Sequence, residues 1–155
     1  MFFCGCLCNG IISVSNQIKY TIMKSQKNKK IFIVDADPFW RALLTQMLNE
    51  LGYNYIIEFE NGKDCLESLS LNPRIIFLDE QIQDVDGLTV LRKIKTYFSG
   101  MGVVFCSAHQ PLGKVVNTME FGSFDYLLKD NTSKNELASM LENLIRNEVG
   151  VDEIY

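Results

Sequence analysis

The sequence predicts an α/β protein in which a doubly wound parallel sheet carries helices on both faces. From residue 30 onward, short apolar runs alternate with helical patterns across short connections. Four runs, at 31–34, 75–78, 103–106 and 126–128, each stop at a polar residue: Asp35, Asp79, Ser107 and Lys129. Because parallel strands end at one edge of a sheet, these side chains should meet where open α/β sheets bind ligands. The pattern predicts a phosphate or metal site.

Length and composition favour one ordinary globular domain. The chain has 155 residues, of which 47% are hydrophobic and 22% charged, enough for one well-buried core. The net charge is −4, and the basic residues cluster only at 24–30. Nucleic acid is therefore not a predicted partner.

The cysteines predict reduced thiols. Cys4, Cys6 and Cys8 lie close together without a nearby fourth metal ligand, whereas Cys65 and Cys106 lie far apart. An odd cysteine count without a disulfide framework is typical of the cytoplasm, which is the predicted location.

The N-terminal segment lacks the features of a targeting signal. Residues 1–22 carry neither a basic segment nor a small-residue cleavage site. No apolar run has the length of a membrane span, so no membrane association is predicted. We expect Met23 to be the biological start. The expected organisation is an N-terminal extension at 1–28, a folded domain at 29–148 and a C-terminal tail at 149–155.

The first half of the domain predicts two helices and an edge strand. Asp37 and Pro38 suit the N-cap and first turn of the first helix. Apolar residues then repeat at helical spacing until Gly52: Leu43, Leu44, Met47, Leu48 and Leu51. A strand is predicted at 55–59. Asn61 should cap a second helix that ends before Pro73 and carries Cys65, Leu66 and Leu69.

The second half predicts three more helices from their apolar spacing. The third helix is marked by Leu88, Leu91, Ile94 and Phe98 and is closed by Gly100 and Gly102. The fourth is marked by Val115, Val116 and Met119 and ends at Gly122. The fifth opens at Thr132 or Ser133 and carries Leu137, Met140, Leu141, Leu144 and Ile145.

Strand polarity predicts the order of the sheet. The first, third and fourth strands are unbroken apolar runs, as expected of strands covered on both faces. The second and fifth contain Glu58 and Asp125, which suit sheet edges. The predicted order is 2-1-3-4-5. Its switch point lies between strands one and three, where Asp35 and Asp79 stand.

Taken together, these motifs resemble a known family. Residues 30–147 resemble a response-regulator receiver domain, the phospho-accepting module of two-component signalling, with its flavodoxin-like fold. The matching motifs are Ile-Phe-Ile-Val-Asp at 31–35, Ile-Ile-Phe-Leu-Asp at 75–79, Asp86-Gly87, Ser107-Ala108 and Tyr126-Leu127-Leu128-Lys129.

The resemblance implies a role for each matching residue. Asp79 would be the phospho-acceptor, which attacks the phosphoryl group and forms an acyl phosphate. Ser107 and Lys129 would contact that phosphoryl group, and Tyr126 would change rotamer with Ser107. A Mg²⁺ ion would be held by Asp35, by Asp79 and by the backbone carbonyl of Gln81.

The resemblance also implies partners and an output. A sensor histidine kinase or phosphotransfer protein would supply the phosphoryl group. The chain would not be an enzyme beyond slow autodephosphorylation. Because only a short tail follows the fifth helix, we expect output by docking of the fourth helix and fifth strand on a target protein that the sequence does not identify.

Three positions depart from the family pattern. Ala36 stands where a second acid is usual, so Mg²⁺ should bind more weakly and phosphorylation should be slower. Asp130 follows Lys129 where the family prefers proline, often after a cis bond. A cis bond before a non-proline residue costs roughly 3 kcal/mol, so this bond should be trans. Gln83 replaces a loop proline.

Two alternative functions remain at this point. The chain could be a pseudo-receiver, an adaptor that binds its partners whatever its phosphorylation state. Alternatively, Asp35-Ala36-Asp37 has the Asp-x-Asp pattern of haloacid-dehalogenase-type phosphatases, with Asp35 as nucleophile. No acidic metal motif follows Lys129, and that hypothesis leaves Asp79 and Asp86-Gly87 unexplained.

Overall fold

The computed structural model describes residues 28–108 and 125–149. The strands in these ranges are Ile31–Val34 (β1), Ile56–Phe59 (β2), Ile75–Asp79 (β3), Gly102–Ser107 (β4) and Asp125–Leu128 (β5). The helices are Pro38–Glu50 (α1), Gly62–Glu67 (α2), Gly87–Tyr97 (α3) and Lys134–Val149, here called the C-terminal helix. Short 3₁₀ turns occupy Leu69–Leu71 and Lys129–Asn131.

Part of the predicted organisation lies outside the described residues. This applies to the N-terminal extension, to the predicted fourth helix at 115–122 and to most of the tail. Among the helices in the described ranges, none combines the length and apolar character needed to cross a membrane.

The sheet has the predicted order, β2-β1-β3-β4-β5, and every pairing is parallel. The central strands β1, β3 and β4 are buried along their whole length. The outer strands are only partly buried, and Glu58 and Asp125 lie in them. The polar residues thus stand at the two edges, where one side of the strand faces solvent.

Successive side chains of the central strands point to opposite faces, and each face builds its own core. One face packs against α1 and the C-terminal helix and includes Ile31, Ile33, Phe77, Val104, Cys106, Leu44, Leu48, Leu137, Leu141 and Leu144. The other face packs against α2 and α3 and includes Phe32, Val34, Ile76, Leu78, Phe105, Cys65, Val90, Leu91 and Ile94. This arrangement is the doubly wound fold that the sequence predicts.

The helices begin where capping side chains satisfy free backbone N–H groups. Asp37 accepts a hydrogen bond from the backbone N–H of Phe39, with Pro38 in the first turn. Asn61 caps α2. The hydroxyl of Ser133 accepts from the backbone of the C-terminal helix, which identifies Ser133 as the opening residue.

Three details of the structure differ from what the apolar spacing suggests. Leu43 is 37% exposed, because α1 turns Trp40, Leu44 and Leu48 inward instead. Tyr55 precedes β2 rather than belonging to it and is exposed. Phe98 is the C-cap of α3, so it leaves the helical phase and is also exposed. Apolar spacing fixes a helical stripe but not the residue at which the helix ends.

The second helix is also shorter than predicted. α2 ends at Glu67, and Leu69 lies in the following 3₁₀ turn, where it is still buried. Asn72 ends that turn in the left-handed conformation, with φ 55°, a region that asparagine tolerates better than most residues.

Candidate functional site

Four polar side chains meet at the carboxyl edge of the sheet. Asp35 directly follows β1, Asp79 ends β3, Ser107 ends β4 and Lys129 directly follows β5. Asp35, Asp79 and Ser107 are buried, with exposures of 2%, 6% and 3%. Burial of charged groups is unfavourable unless they are paired, so their partners define the site.

Lys129 joins the two buried carboxylates. Its Nζ lies 2.5 Å from Oδ2 of Asp35 and 2.9 Å from Oδ1 of Asp79. The ammonium also lies 5.8 Å from the centre of the Trp40 ring. Burial alone would lower the pKa of Lys129, but its contacts with the two carboxylates outweigh burial and raise that pKa. The lysine is therefore a fixed positive charge at the edge of the sheet.

A short turn places Lys129. The 3₁₀ turn Lys129–Asn131 starts at this residue, and the hydroxyl of Thr132 donates a hydrogen bond back to the carbonyl of Leu128. The described parts of the chain contain no cis peptide bond, so the bond between Lys129 and Asp130 is trans, as predicted.

Asp35 is held by its own loop. Its Oδ1 accepts a hydrogen bond of 2.8 Å from the backbone N–H of Asp37. Its Oδ2 is fully buried and has no well-directed hydrogen-bond donor among the described residues, although the Lys129 ammonium touches it. Burial, together with repulsion from Asp79, raises the pKa of Asp35 despite its favourable contacts.

This donor set fits a divalent cation in part. The carboxylates of Asp35 and Asp79 approach the same ammonium, and the buried Oδ2 of Asp35 is available to a second cation. The Ala36 side chain offers no ligand, and the described residues contain no group of three or more acidic, histidine or cysteine side chains that could hold a metal ion. Gln81 lies in the loop after β3. Magnesium prefers oxygen ligands and keeps waters where protein ligands are few, so a weakly held Mg²⁺ suits the site.

Ser107 has a partner that the sequence analysis missed. Its hydroxyl donates a hydrogen bond of 2.7 Å to Oε2 of Glu80, the residue that follows Asp79. The backbone N–H of Glu80 in turn donates to the carbonyl of Cys106. The one sequence feature that could have drawn attention to Glu80 is its position directly after Asp79, at the end of a predicted strand.

Tyr126 lies on β5, beside β4. It is paired in register with Phe105, and the two ring centres are 6.4 Å apart. Ser107 pairs with Leu128, two residues further along the same two strands. Tyr126 is half-buried at the edge strand.

Arg41 is a second residue that the sequence analysis missed. It lies in α1 and is buried. Its guanidinium donates a hydrogen bond of 2.6 Å to the backbone carbonyl of Asp35. The same guanidinium forms ion pairs with Glu58 and Glu60 at 3.3 and 3.1 Å. It therefore joins α1, β2 and the loop that carries Asp35. Nothing in the apolar spacing of α1 marks this residue.

The Asp86-Gly87 motif brings α3 against the site backbone. A Cβ atom on Gly87 would lie 2.3 Å from the carbonyl oxygen of Asp79 and 3.0 Å from that of Glu80. Asp86 caps the helix by accepting from the backbone of Thr89. Only glycine lets the helix start this close to the end of β3.

The loop between β3 and α3 is also tied to α2. The carboxylate of Asp84 accepts hydrogen bonds from the backbone N–H groups of Gly62 and Lys63, at 2.8 and 2.9 Å. Desolvation would raise the pKa of Asp84, but these and other backbone hydrogen bonds lower it below its usual value. The loop that follows Asp79 is thus anchored at both ends.

A cavity of about 390 Å³ lies at the opposite, amino end of the sheet. It is lined by Lys29, Asn72, Pro73, Arg74, Phe98, Gly100 and Met101. None of the converging carboxylates belongs to it. Charge and burial, not cavity size, locate the candidate site.

Comparison with known proteins agrees with this geometry. Residues 31–142 match the family model described as the response regulator receiver domain. The transcriptional regulatory protein LytR of Staphylococcus aureus strain N315 is 37% identical over 102 residues, which are 64% of this chain and 41% of LytR. The chemotaxis protein CheY of Bacillus subtilis is 28% identical over 101 residues, covering 64% of this chain and 84% of CheY.

The solved structures show the same fold. The signal receiver domain of a putative LuxO repressor protein from Vibrio parahaemolyticus superposes with a TM-score of 0.71 at 21% identity, covering 81% of this chain and 99% of that one. The match to LytR spans about two fifths of that relative's length.

Proposed function

Because the chain belongs to the family of response regulator receiver domains of two-component signalling, we propose that Asp79 accepts a phosphoryl group from a sensor histidine kinase or phosphotransfer protein. The observation that carries this proposal is the contact of 2.9 Å between the buried Asp79 carboxylate and the Lys129 ammonium, at the carboxyl edge of the sheet. The chain acts here as an acceptor, not as an enzyme, apart from slow loss of its own phosphoryl group.

The reaction needs a nucleophile and charge neutralisation. A carboxylate oxygen of Asp79 attacks the phosphorus of a phosphohistidine, the bond between phosphorus and the imidazole nitrogen breaks, and the imidazole leaves with the electron pair. The product is an acyl phosphate on Asp79. Phosphoryl transfer depends mainly on positioning and on stabilising the phosphoryl oxygens.

Lys129 supplies one positive charge that is already in place. Its ammonium lies against Oδ1 of Asp79 and so offsets part of the negative charge of the acceptor carboxylate. Asp35, Asp79 and the carbonyl of Gln81 would hold Mg²⁺, which when bound neutralises charge on the transferring group. Arg41 fixes the loop of Asp35 through its backbone carbonyl.

After transfer, Ser107 and Tyr126 would change conformation in response to the negative charge of the phosphoryl group. The Ser107 hydroxyl would turn to the phosphoryl group, and Tyr126 on the adjacent edge strand would change rotamer with it. The predicted output surface includes β5 and the predicted helix at 115–122. It would dock on a target protein in the cytoplasm, without nucleic acid or a membrane as partner.

A second function keeps the fold without phosphorylation. Ala36 stands where an acid is usual in the family, so the site has one carboxylate fewer. The described residues also offer no group of three side chains that could hold a metal ion. These observations favour a pseudo-receiver adaptor. The phosphatase hypothesis has less support, because Asp37 is exposed and its carboxylate caps α1.

Labelling with acetyl phosphate and Mg²⁺ tests the proposal. The unmodified chain should incorporate an acyl phosphate that is lost at alkaline pH, and Asp79→Asn should incorporate none. Asp37→Asn is the matched control, because asparagine also caps a helix, and it should label normally. Failure of the unmodified chain to label, beside a receiver that labels under the same conditions, would favour the adaptor.

A further inference from the structure

We propose that Glu80 competes with a phosphoryl group on Asp79 for the hydroxyl of Ser107. This inference rests on the proposed function. It assigns to Glu80 a role in setting how readily Ser107 turns from its unphosphorylated partner to the phosphoryl group. The observation behind it is the hydrogen bond of 2.7 Å from Oγ of Ser107 to Oε2 of Glu80.

The chemistry of a hydroxyl makes the two contacts exclusive. Serine has one hydroxyl proton and so donates one strong hydrogen bond at a time. In the present structure that proton is directed at a carboxylate, and hydrogen bonds to ionised acceptors are among the stronger ones in proteins. A phosphoryl oxygen on Asp79 therefore gains the Ser107 donor only after Glu80 has lost it.

The backbone keeps Glu80 and Ser107 together. Glu80 directly follows Asp79, which pairs with Cys106 in the sheet. The backbone N–H of Glu80 donates a hydrogen bond of 2.9 Å to the carbonyl of Cys106. Ser107 is the next residue on β4 and is buried. Glu80 and Ser107 are therefore held side by side at the carboxyl ends of β3 and β4.

Charge acts in the same direction as hydrogen bonding. A phosphoryl group on Asp79 brings additional negative charge beside a residue that is itself acidic. The Glu80 carboxylate should therefore stabilise the unphosphorylated arrangement both by holding Ser107 and by repelling the new group. These two contributions differ in one respect: only the first requires Ser107.

A double-mutant cycle separates them. The affinity of the full chain for beryllofluoride with Mg²⁺, a mimic of the phosphoryl group, would be measured in the unmodified protein, Glu80→Gln, Ser107→Ala and the double variant. Trp40 is the single tryptophan and lies 5.8 Å from the Lys129 ammonium, so its fluorescence provides the signal. The same four proteins would be unfolded in urea without ligand.

Glutamine keeps an acceptor oxygen but removes the charge. Glu80→Gln should tighten beryllofluoride binding, and the gain should be roughly fivefold larger with Ser107 present than in the Ser107→Ala background. The unliganded proteins should show favourable coupling between the two residues. An equal gain in affinity in both backgrounds would overturn the proposal, because charge repulsion by Glu80 would then be the whole effect. No gain in affinity in either background would overturn it as well.

Failure of the underlying function gives a different result. If the unmodified chain bound no beryllofluoride in a manner abolished by Asp79→Asn, the proposed function would fail and the competition with it. Coupling between Glu80 and Ser107 in the urea cycle would then show that the hydrogen bond serves only the stability of the fold. Binding that depends on Asp79 but shows no coupling would contradict the competition alone.

Discussion

The ammonium of Lys129 lies closer to Asp35 than to the proposed acceptor: Nζ is 2.5 Å from Oδ2 of Asp35 and 2.9 Å from Oδ1 of Asp79. The unphosphorylated site is thus held by one cation shared between two buried acids. A metal ion that binds Asp35 has to share this carboxylate with Lys129. The stability and the chemistry of the site are therefore coupled through a single side chain.

Removal of that cation should destabilise the fold. Lys129→Gln would leave Asp35 and Asp79 buried side by side without a positive partner, which should lower the free energy of unfolding by about 3 kcal/mol. Lys134→Gln is the matched control, because its ion pair with Glu50 is half-exposed and should contribute less than about 1 kcal/mol. Urea unfolding of both variants gives the comparison. Equal losses would contradict the structural role of Lys129.

Restoring the second acid should strengthen metal binding. Ala36→Asp should tighten Mg²⁺ binding and speed labelling, because it adds a carboxylate ligand beside Asp35. Added negative charge should also repel the phosphoryl donor, but we expect the metal effect to dominate since Mg²⁺ stabilises the transition state directly. Titration of Trp40 fluorescence measures the affinity.

A neutral substitution at the same position provides the control. Ala36→Asn adds similar bulk without charge and should tighten Mg²⁺ binding less than Ala36→Asp. If Ala36→Asp changed neither the Mg²⁺ affinity nor the labelling rate, the site would not use this position for metal, and the adaptor hypothesis would gain support.

Neutralising Asp35 should stabilise the unliganded domain in a pH-dependent way. The pKa of Asp35 is raised above 3.8, chiefly by burial. The contribution of Asp35 to stability is therefore largest below pH 3.8. It is lost as the pH rises through the pKa of Asp35 in the folded state. Asp35→Asn removes this loss and keeps an acceptor for the Asp37 N–H, so it should raise the free energy of unfolding at neutral pH.

The pH profile is the critical observation for that variant. The advantage of Asp35→Asn over the unmodified chain should be small near pH 3.8, grow with pH and then level off. Asp130→Asn, at the exposed neighbour of Lys129, is the control for removal of a surface carboxylate. A loss of stability in Asp35→Asn at neutral pH would mean that its ion pair outweighs burial.

The close approach at Gly87 should be sensitive to one methyl group. Gly87→Ala would place Cβ 2.3 Å from the carbonyl oxygen of Asp79, so α3 or β3 has to move. We expect a loss of about 1–3 kcal/mol, as for other overpacked sites. Gly100→Ala meets nothing within 4 Å and should change stability by less than about 0.5 kcal/mol. Thermal unfolding of both variants measures the difference.

The sequence was sufficient to predict most of the fold. The strand order followed from Glu58 and Asp125, because a polar residue in a strand is tolerated at a sheet edge. The helix starts followed from capping residues such as Asp37 and Asn61, which act locally. Leu43 shares the apolar spacing of α1 but is exposed, because several helical faces fit that spacing and only the neighbouring sheet selects one.

The site was predictable in position but not in its contacts. Asp35, Asp79 and Lys129 were identified because strand ends converge whatever the side chains do. Glu80 and Arg41 were missed because their partners are distant in the chain. Arg41 contacts Glu58 seventeen residues away, and Glu80 accepts from Ser107 twenty-seven residues away. Local patterns do not encode such pairs.

The identity of the modified residue tests the central claim most directly. After reaction with a phosphodonor and Mg²⁺, borohydride reduces an aspartyl phosphate to homoserine, and mass spectrometry of the peptides locates the converted residue. The result expected here is conversion at Asp79 alone, abolished by Asp79→Asn. Conversion at Asp35 that persists in Asp79→Asn would contradict the receiver mechanism and favour a phosphatase that uses Asp35 as its nucleophile.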